Sequence, residues 1–158
     1  MRLDIELLGH FRVTVDGRAV PLGEWRRARS VALVKLLALA PGHRLHREQA
    51  MDALWPELSP DAAASNLRKA VHYARHALGS RAAIKLVGEV LALAPEAELV
   101  VDAALFEADA QAAIRTRDAL ACQRAAERYR GELLPDDRYA EWSEEPRERL
   151  AQSFARLL

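Results

Sequence analysis

Arg68, Lys69, Arg75, Arg81 and Lys85 fall between Ala62 and Gly88, a stretch that contains no acidic residue. Wound at about 3.6 residues per turn, residues 63–78 place Leu67, Ala70, Val71, Ala74 and Leu78 on one side of a helix. Ser65, Arg68, Lys69, His72 and His76 fall on the other. The first stripe can be buried in a core. The second is a basic face whose cations can neutralise phosphates and donate hydrogen bonds to base edges. A basic stripe taken alone is usually a solvated helix face, so its meaning depends on the elements that flank it. Other reactive combinations are weaker. His72 and His76 stand four apart on one helix, but no Glu follows His72 and no third ligand is evident, so no metal site is expected. Cys122 falls on an apolar helix face, there is no phosphate-cradling glycine loop, and Asp136-Asp137 and Glu144-Glu145 read as solvated charges at helix starts. The sequence points away from an enzyme and implies no cofactor.

The overall charge of zero is a cancellation between halves. Met1 to Glu98 carries net +3 and Leu99 to Leu158 net −3, which implies two parts with different partners. The 158 residues suffice for one ordinary domain or two small ones. A single cysteine excludes an intrachain disulfide and fits a reducing cytoplasm. The N-terminus lacks the pattern of a signal peptide, and the longest apolar run, Val31 to Ala40, is interrupted by Lys35 and too short to span a membrane. A soluble, cytoplasmic protein without a membrane partner is expected.

The elements that must position the basic face follow from periodicity. Leu3, Ile5 and Leu7 alternate with charged residues, as do Phe11, Val13 and Val15 with Arg12 and Thr14, and Asp16-Gly17 supplies a hairpin turn to a short return strand at Ala19-Val20. A small antiparallel sheet should open the chain. Helices are expected from near Ala28 to Pro41-Gly42 and from Arg47 to Leu54, ended by Pro56. The basic helix is next, capped by Ser59-Pro60-Asp61 and ended by Gly79. Ile84–Val87 and Val90–Leu93 then flank Gly88-Glu89 as a second hairpin. Sheet, three helices and hairpin make an α+β winged helix-turn-helix with an N-terminal antiparallel sheet, in which the third helix enters the major groove and the hairpin is a wing. Arg81 and Lys85 fall at the wing's base. His43 and His46 read as loop and cap residues, and Trp55, spaced with Met51, reads as a core anchor.

After Val101 the pattern becomes all-α. Asp102 is expected to cap a helix carrying Phe106 and Ile114, and a second helix runs from about Asp118 to Tyr129. A third, starting around Tyr139 to Trp142, carries Leu150, Phe154, Leu157 and Leu158. The alanines at 112, 113, 121 and 125 permit close helix approach, as in tetratricopeptide-like hairpins. No following element is in place to cover the last helix's apolar side chains. Two readings stand for them: an apolar docking surface for a second copy, giving a homodimer through the C-terminal helices, or closure of the three-helix unit on itself.

The chain resembles the Streptomyces antibiotic regulatory protein family of transcriptional activators. The matching stretches are Leu7-Leu8-Gly9-His10-Phe11 with Asp16-Gly17, the helix over 32–40, His46-Arg47-Glu48 with Leu54-Trp55-Pro56, and Asn66-Leu67-Arg68 through Arg75-His76-Ala77-Leu78-Gly79. Val101-Asp102 with Phe106-Glu107, Tyr129 through Pro135, and Glu141-Trp142 continue the match. The resemblance implies an OmpR-like DNA-binding domain over residues 1–98 and a tetratricopeptide-like bacterial transcriptional activation domain over residues 99–158, stopping short of the helices with which members usually continue. It also implies a sequence-specific transcription activator that binds double-stranded promoter DNA at direct repeats and contacts RNA polymerase through the loop from Pro56 to Asp61. The expected DNA-binding residues are Ser65, Arg68, Lys69, His72, Arg75, His76, Arg81 and Lys85. The alternative from a different class is a helical protein-interaction adaptor whose winged domain binds an acidic protein partner.

Overall fold

A computed structural model describes residues 1–25 and 27–158. Strands β1 (Arg2–Glu6), β2 (Arg12–Val15) and β3 (Arg18–Ala19) open the chain and are followed by helix α1 (Ala28–Leu39). Strand β4 (Arg44–His46) leads into α2 (Arg47–Leu54) and α3 (Pro60–Leu78), and then into the hairpin β5 (Ile84–Val87) and β6 (Val90–Leu93). Strand β7 (Glu98–Val101) precedes the helices α4 (Asp102–Thr116), α5 (Ala119–Arg128) and α6 (Glu141–Leu157). The chain is thus a winged helix-turn-helix with an N-terminal sheet, followed by an all-α region. It divides into two compact units, one of residues 1–3 and 14–99, the other of residues 4–13 and 100–158.

Local chemistry sets the ends of the helices in the first unit. His46 starts α2: its Nδ1 accepts from Glu48 N–H at 3.1 Å, and its own N–H donates to Gln49 Oε1 at 3.1 Å. Ser59 Oγ accepts from Ala62 N–H at 3.3 Å at the start of α3, and Pro60 takes the first helical position, where a missing N–H costs nothing. Gly79 closes α3 in the left-handed conformation, φ 72°, which lets Gly79 and Ser80 donate to the His76 and Arg75 carbonyls. Between α2 and α3 the chain turns over Trp55, which is buried as expected. Leu67, Ala70, Val71, Ala74 and Leu78 are all buried, so α3 presents its apolar stripe to the core beside Leu33, Leu37 and Leu54 of the same core.

Two strands that carry no alternation signal complete the sheets. β4 pairs antiparallel with β6 (Arg44 with Ala92, Leu45 with Leu91, His46 with Val90) and turns the hairpin into a three-stranded sheet of order β4-β6-β5. β7 adds to the N-terminal sheet, whose order is β3-β2-β1-β7.

In the second unit, Phe106 is fully buried and Tyr129 packs against it with ring centroids 5.2 Å apart. The segment of residues 4–13, which begins within β1, belongs to this unit. Its backbone is tied there by Gly9 N–H to the Glu132 carbonyl (2.8 Å), Leu134 N–H to the Leu7 carbonyl (2.9 Å) and a bridge between Leu8 and Leu133. Asp102 differs from expectation too. Val101 takes the cap position of α4, and the Asp102 carboxylate accepts from Leu7 N–H (2.7 Å) and Leu8 N–H (3.1 Å) as well as Ala103 N–H. Burial pushes its pKa above the ordinary value despite those three bonds. Arg147, with its side chain largely buried, donates to the carbonyls of Leu133, Leu134 and Asp137 and to Ser143 Oγ, and pairs with Glu132 at 3.1 Å. Leu134, whose carbonyl is among these acceptors, lies in a left-handed conformation, φ 42°, that a bulky residue rarely adopts.

On the last helix, Leu150 and Leu157 are buried, and the half-buried Phe154 stacks on Tyr129 at 4.4 Å and 16°, so these three side chains are covered within the unit and do not form an open apolar patch. Of the four residues, Leu158 is exposed.

Candidate nucleic-acid interface

The exposed side of α3 runs for 19 residues, about 28 Å at 1.5 Å per residue, with its N-terminal end set by the Ser59 cap. Arg68, Lys69, His72 and His76 are exposed along it and Ser65 is half-buried. Among the described residues, Arg68 and Lys69 make no ion pair or side-chain hydrogen bond, so their charges face solvent uncompensated. Asp61 is the acidic group in the first turn of the helix, and Arg75 and His76 lie in the last. That distribution suits the helix dipole, negative near the N-terminus and positive near the C-terminus.

Arg75 and Lys85, which the sequence marks only as cations, carry other duties. Arg75 Nε donates to the Ile84 carbonyl at 2.8 Å, stitching the end of α3 to the first strand of the wing. Lys85 Nζ pairs with Glu96 Oε1 at 2.7 Å, so a phosphate at Lys85 has to compete with a carboxylate that lies outside the acid-free stretch. Arg81 is exposed and without an ion pair among the described residues. Together with Ala82, Leu86 and Val87, these three cations line a surface hollow of about 400 Å³ between α3 and the wing. The wing closes at Gly88, φ 62°, and its Leu86 and Val87 side chains are exposed.

One member of the face escaped the sequence reading. The Arg27 guanidinium sits over the ring of Tyr73 on α3, 5.0 Å from its centroid, and His72 meets the same ring edge-on at 5.3 Å. The basic run around Arg27 is visible in the sequence, but nothing local says that the start of α1 reaches α3. His72 and His76 gain no third metal ligand, and no group of three metal-ligating side chains occurs among the described residues. No helix among them is long and apolar enough to cross a membrane.

No protein-family model matches this sequence, and no curated protein matches it. Among solved structures, Mycobacterium tuberculosis EmbR, in a complex with a low-affinity phosphopeptide, superimposes with a TM-score of 0.78 over 99% of this chain. The chain shares the fold of EmbR. Sequence identity to EmbR is 21%, and the chain corresponds to 43% of EmbR's length. At that identity the likeness to EmbR establishes the arrangement of elements, a winged helix-turn-helix followed by helices.

Proposed function

We propose that this chain is a sequence-specific transcriptional regulator whose α3 enters the major groove of promoter DNA, with the wing beside the adjoining backbone. The observation that carries this reading is the exposed face of α3, where Arg68 and Lys69 have no counter-charge among the described residues while the opposite face is buried. A helix held on a core by one stripe and offering unpaired cations and hydrogen-bond donors on the other has the shape and charge to occupy a major groove. The fold shared with EmbR is in keeping with it. By the family resemblance, the regulator is an activator that reads direct repeats and contacts RNA polymerase through the turn from Pro56 to Asp61, with residues 99–158 belonging to its activation domain.

The test is selection of duplexes from a random library by the full chain, followed by fluorescence anisotropy of the enriched duplex and a scrambled one across a range of KCl. An enriched motif, bound more tightly than its scramble, supports the reading. Lys69→Ala is expected to make the salt slope shallower by about one if Lys69 meets phosphate, or to cost about 1–3 kcal/mol at one base position if it reads an edge. Failure to enrich any sequence, with equal binding to an acidic polypeptide, would favour the adaptor alternative and overturn the proposal.

A further inference from the structure

We infer that Arg27 is a phosphate-contacting residue delivered to the DNA face from the start of α1, and that Tyr73 is the platform that positions it. The inference rests on the reading that α3 binds duplex DNA.

The placement of Arg27 begins in its backbone. Its carbonyl accepts from Ser30 Oγ at 2.6 Å and from Ser30 N–H at 3.1 Å, and Ser30 is fully buried, so the residue is fixed at the entry to α1. The side chain then lies over Tyr73, in the one stretch of the unit where α3 is basic and exposed. Tyr73 follows Lys69 by four residues, which places the two on neighbouring turns of one side of the helix. Arg27 is an exposed residue, no acidic residue occupies the first turn of α1, and no ion pair claims Arg27 among the described residues.

A planar cation stacked on a ring uses its π-face and keeps its N–H edge available. That edge matches the geometry of two phosphate oxygens. The ring in turn removes rotamer freedom from a long, flexible side chain before any ligand arrives, and preorganisation of this kind reduces the ordering cost of binding. His72 also packs on this ring, T-shaped with centroids 5.3 Å apart. Arg27 therefore adds one backbone contact beside the groove occupied by α3, on an element other than the reading helix. Such a contact positions the protein and carries no sequence information.

The experiment uses the full chain with the selected duplex and its scramble, measuring affinity against KCl for Arg27→Ala, Tyr73→Phe, Tyr73→Leu, Lys69→Ala and the Arg27→Ala/Tyr73→Leu double variant. Thermal unfolding is recorded in parallel. The expected result is a slope shallower by about one for Arg27→Ala, with the same fractional loss on both duplexes. Tyr73→Phe retains the ring and should match wild type, Tyr73→Leu should reproduce the Arg27→Ala slope, and the double variant should lose no more than either. An unchanged slope in Arg27→Ala while Lys69→Ala becomes shallower overturns the Arg27 inference and leaves the α3 reading intact. A loss confined to the selected duplex, with the scramble bound as by wild type, overturns the phosphate assignment. A wild-type chain that binds neither duplex overturns both readings at once.

Discussion

Gly131→Ala is the most incisive perturbation of the second unit, because the space that a methyl group would need is already filled by backbone. A Cβ built on Gly131 lies 2.8 Å from Gly9 Cα and 3.4 Å from Gly9 N. Carbon atoms pack at roughly 3.5–4.0 Å, and neither neighbour is a side chain that can rotate away. The two strands of backbone must therefore separate by several tenths of an ångström at the point where Gly9 N–H donates to Glu132 at 2.8 Å and Leu134 N–H donates to Leu7 at 2.9 Å. Weakening two backbone hydrogen bonds costs about 1 kcal/mol each. Overpacking against the fully buried Leu7, Leu8 and Leu133 costs about 1–3 kcal/mol. Since the first effect is partly the route by which the second relaxes, about 2–4 kcal/mol is expected in place of their full sum. Urea unfolding of the variant, with hydrogen exchange at Gly9 and Leu134, measures it. Gly23→Ala is the control: nothing among the described residues lies within 4 Å of its Cβ, and a change within about 0.5 kcal/mol is expected. A Gly131→Ala chain as stable as wild type, with both amides equally protected, would refute the packing of residues 4–13 on this unit.

Leu67→Ala empties a site that is 5% exposed beneath the basic face of α3 and should destabilise the first unit by about 2–5 kcal/mol in thermal or urea unfolding; an unchanged midpoint would mean that α3 faces the other way. Arg147→Ala strips the Leu133, Leu134 and Asp137 carbonyls of a shared charged donor and should cost about 2–4 kcal/mol, with faster exchange across residues 131–143. Equal protection there would contradict its role. Asp102 has a folded pKa raised above 3.8, so its ionisation disfavours the folded state. Stability from this group is fully present below pH 3.8 and falls as pH rises through the folded pKa. A pH titration of unfolding free energy should therefore fall less steeply across that window in Asp102→Asn, and identical slopes would remove the assignment.

Much of the first unit is local and was legible in the residues themselves. The cap at Ser59, the left-handed stop at Gly79 and the apolar stripe from Ala63 to Leu78 define α3 without reference to any other element, because each acts within one or two turns. The same holds for the hairpin closed by Gly88-Glu89 and for the cap at His46. The candidate site was legible to the same extent: helical periodicity places Arg68 and Lys69 opposite the core stripe, and the structure leaves them unpaired. Partners distant along the chain were not legible. β4 and β7 are three and four residues long and are strands because β6 and β1 offer them unpaired backbone groups. Their own sequences carry no alternation strong enough to announce it. Lys85 reads as a free cation until Glu96 is folded against it. Phe154 reads as uncovered until the ring of Tyr129, 25 positions earlier in the sequence, lies beneath it. Arg27 and Tyr73 become one feature only when α1 is laid beside α3. Periodicity reports which face of an element is apolar, since that is a property of the element's own residues. What covers the face, and which charges meet across it, depends on groups brought together from distant positions, and tertiary structure decided those.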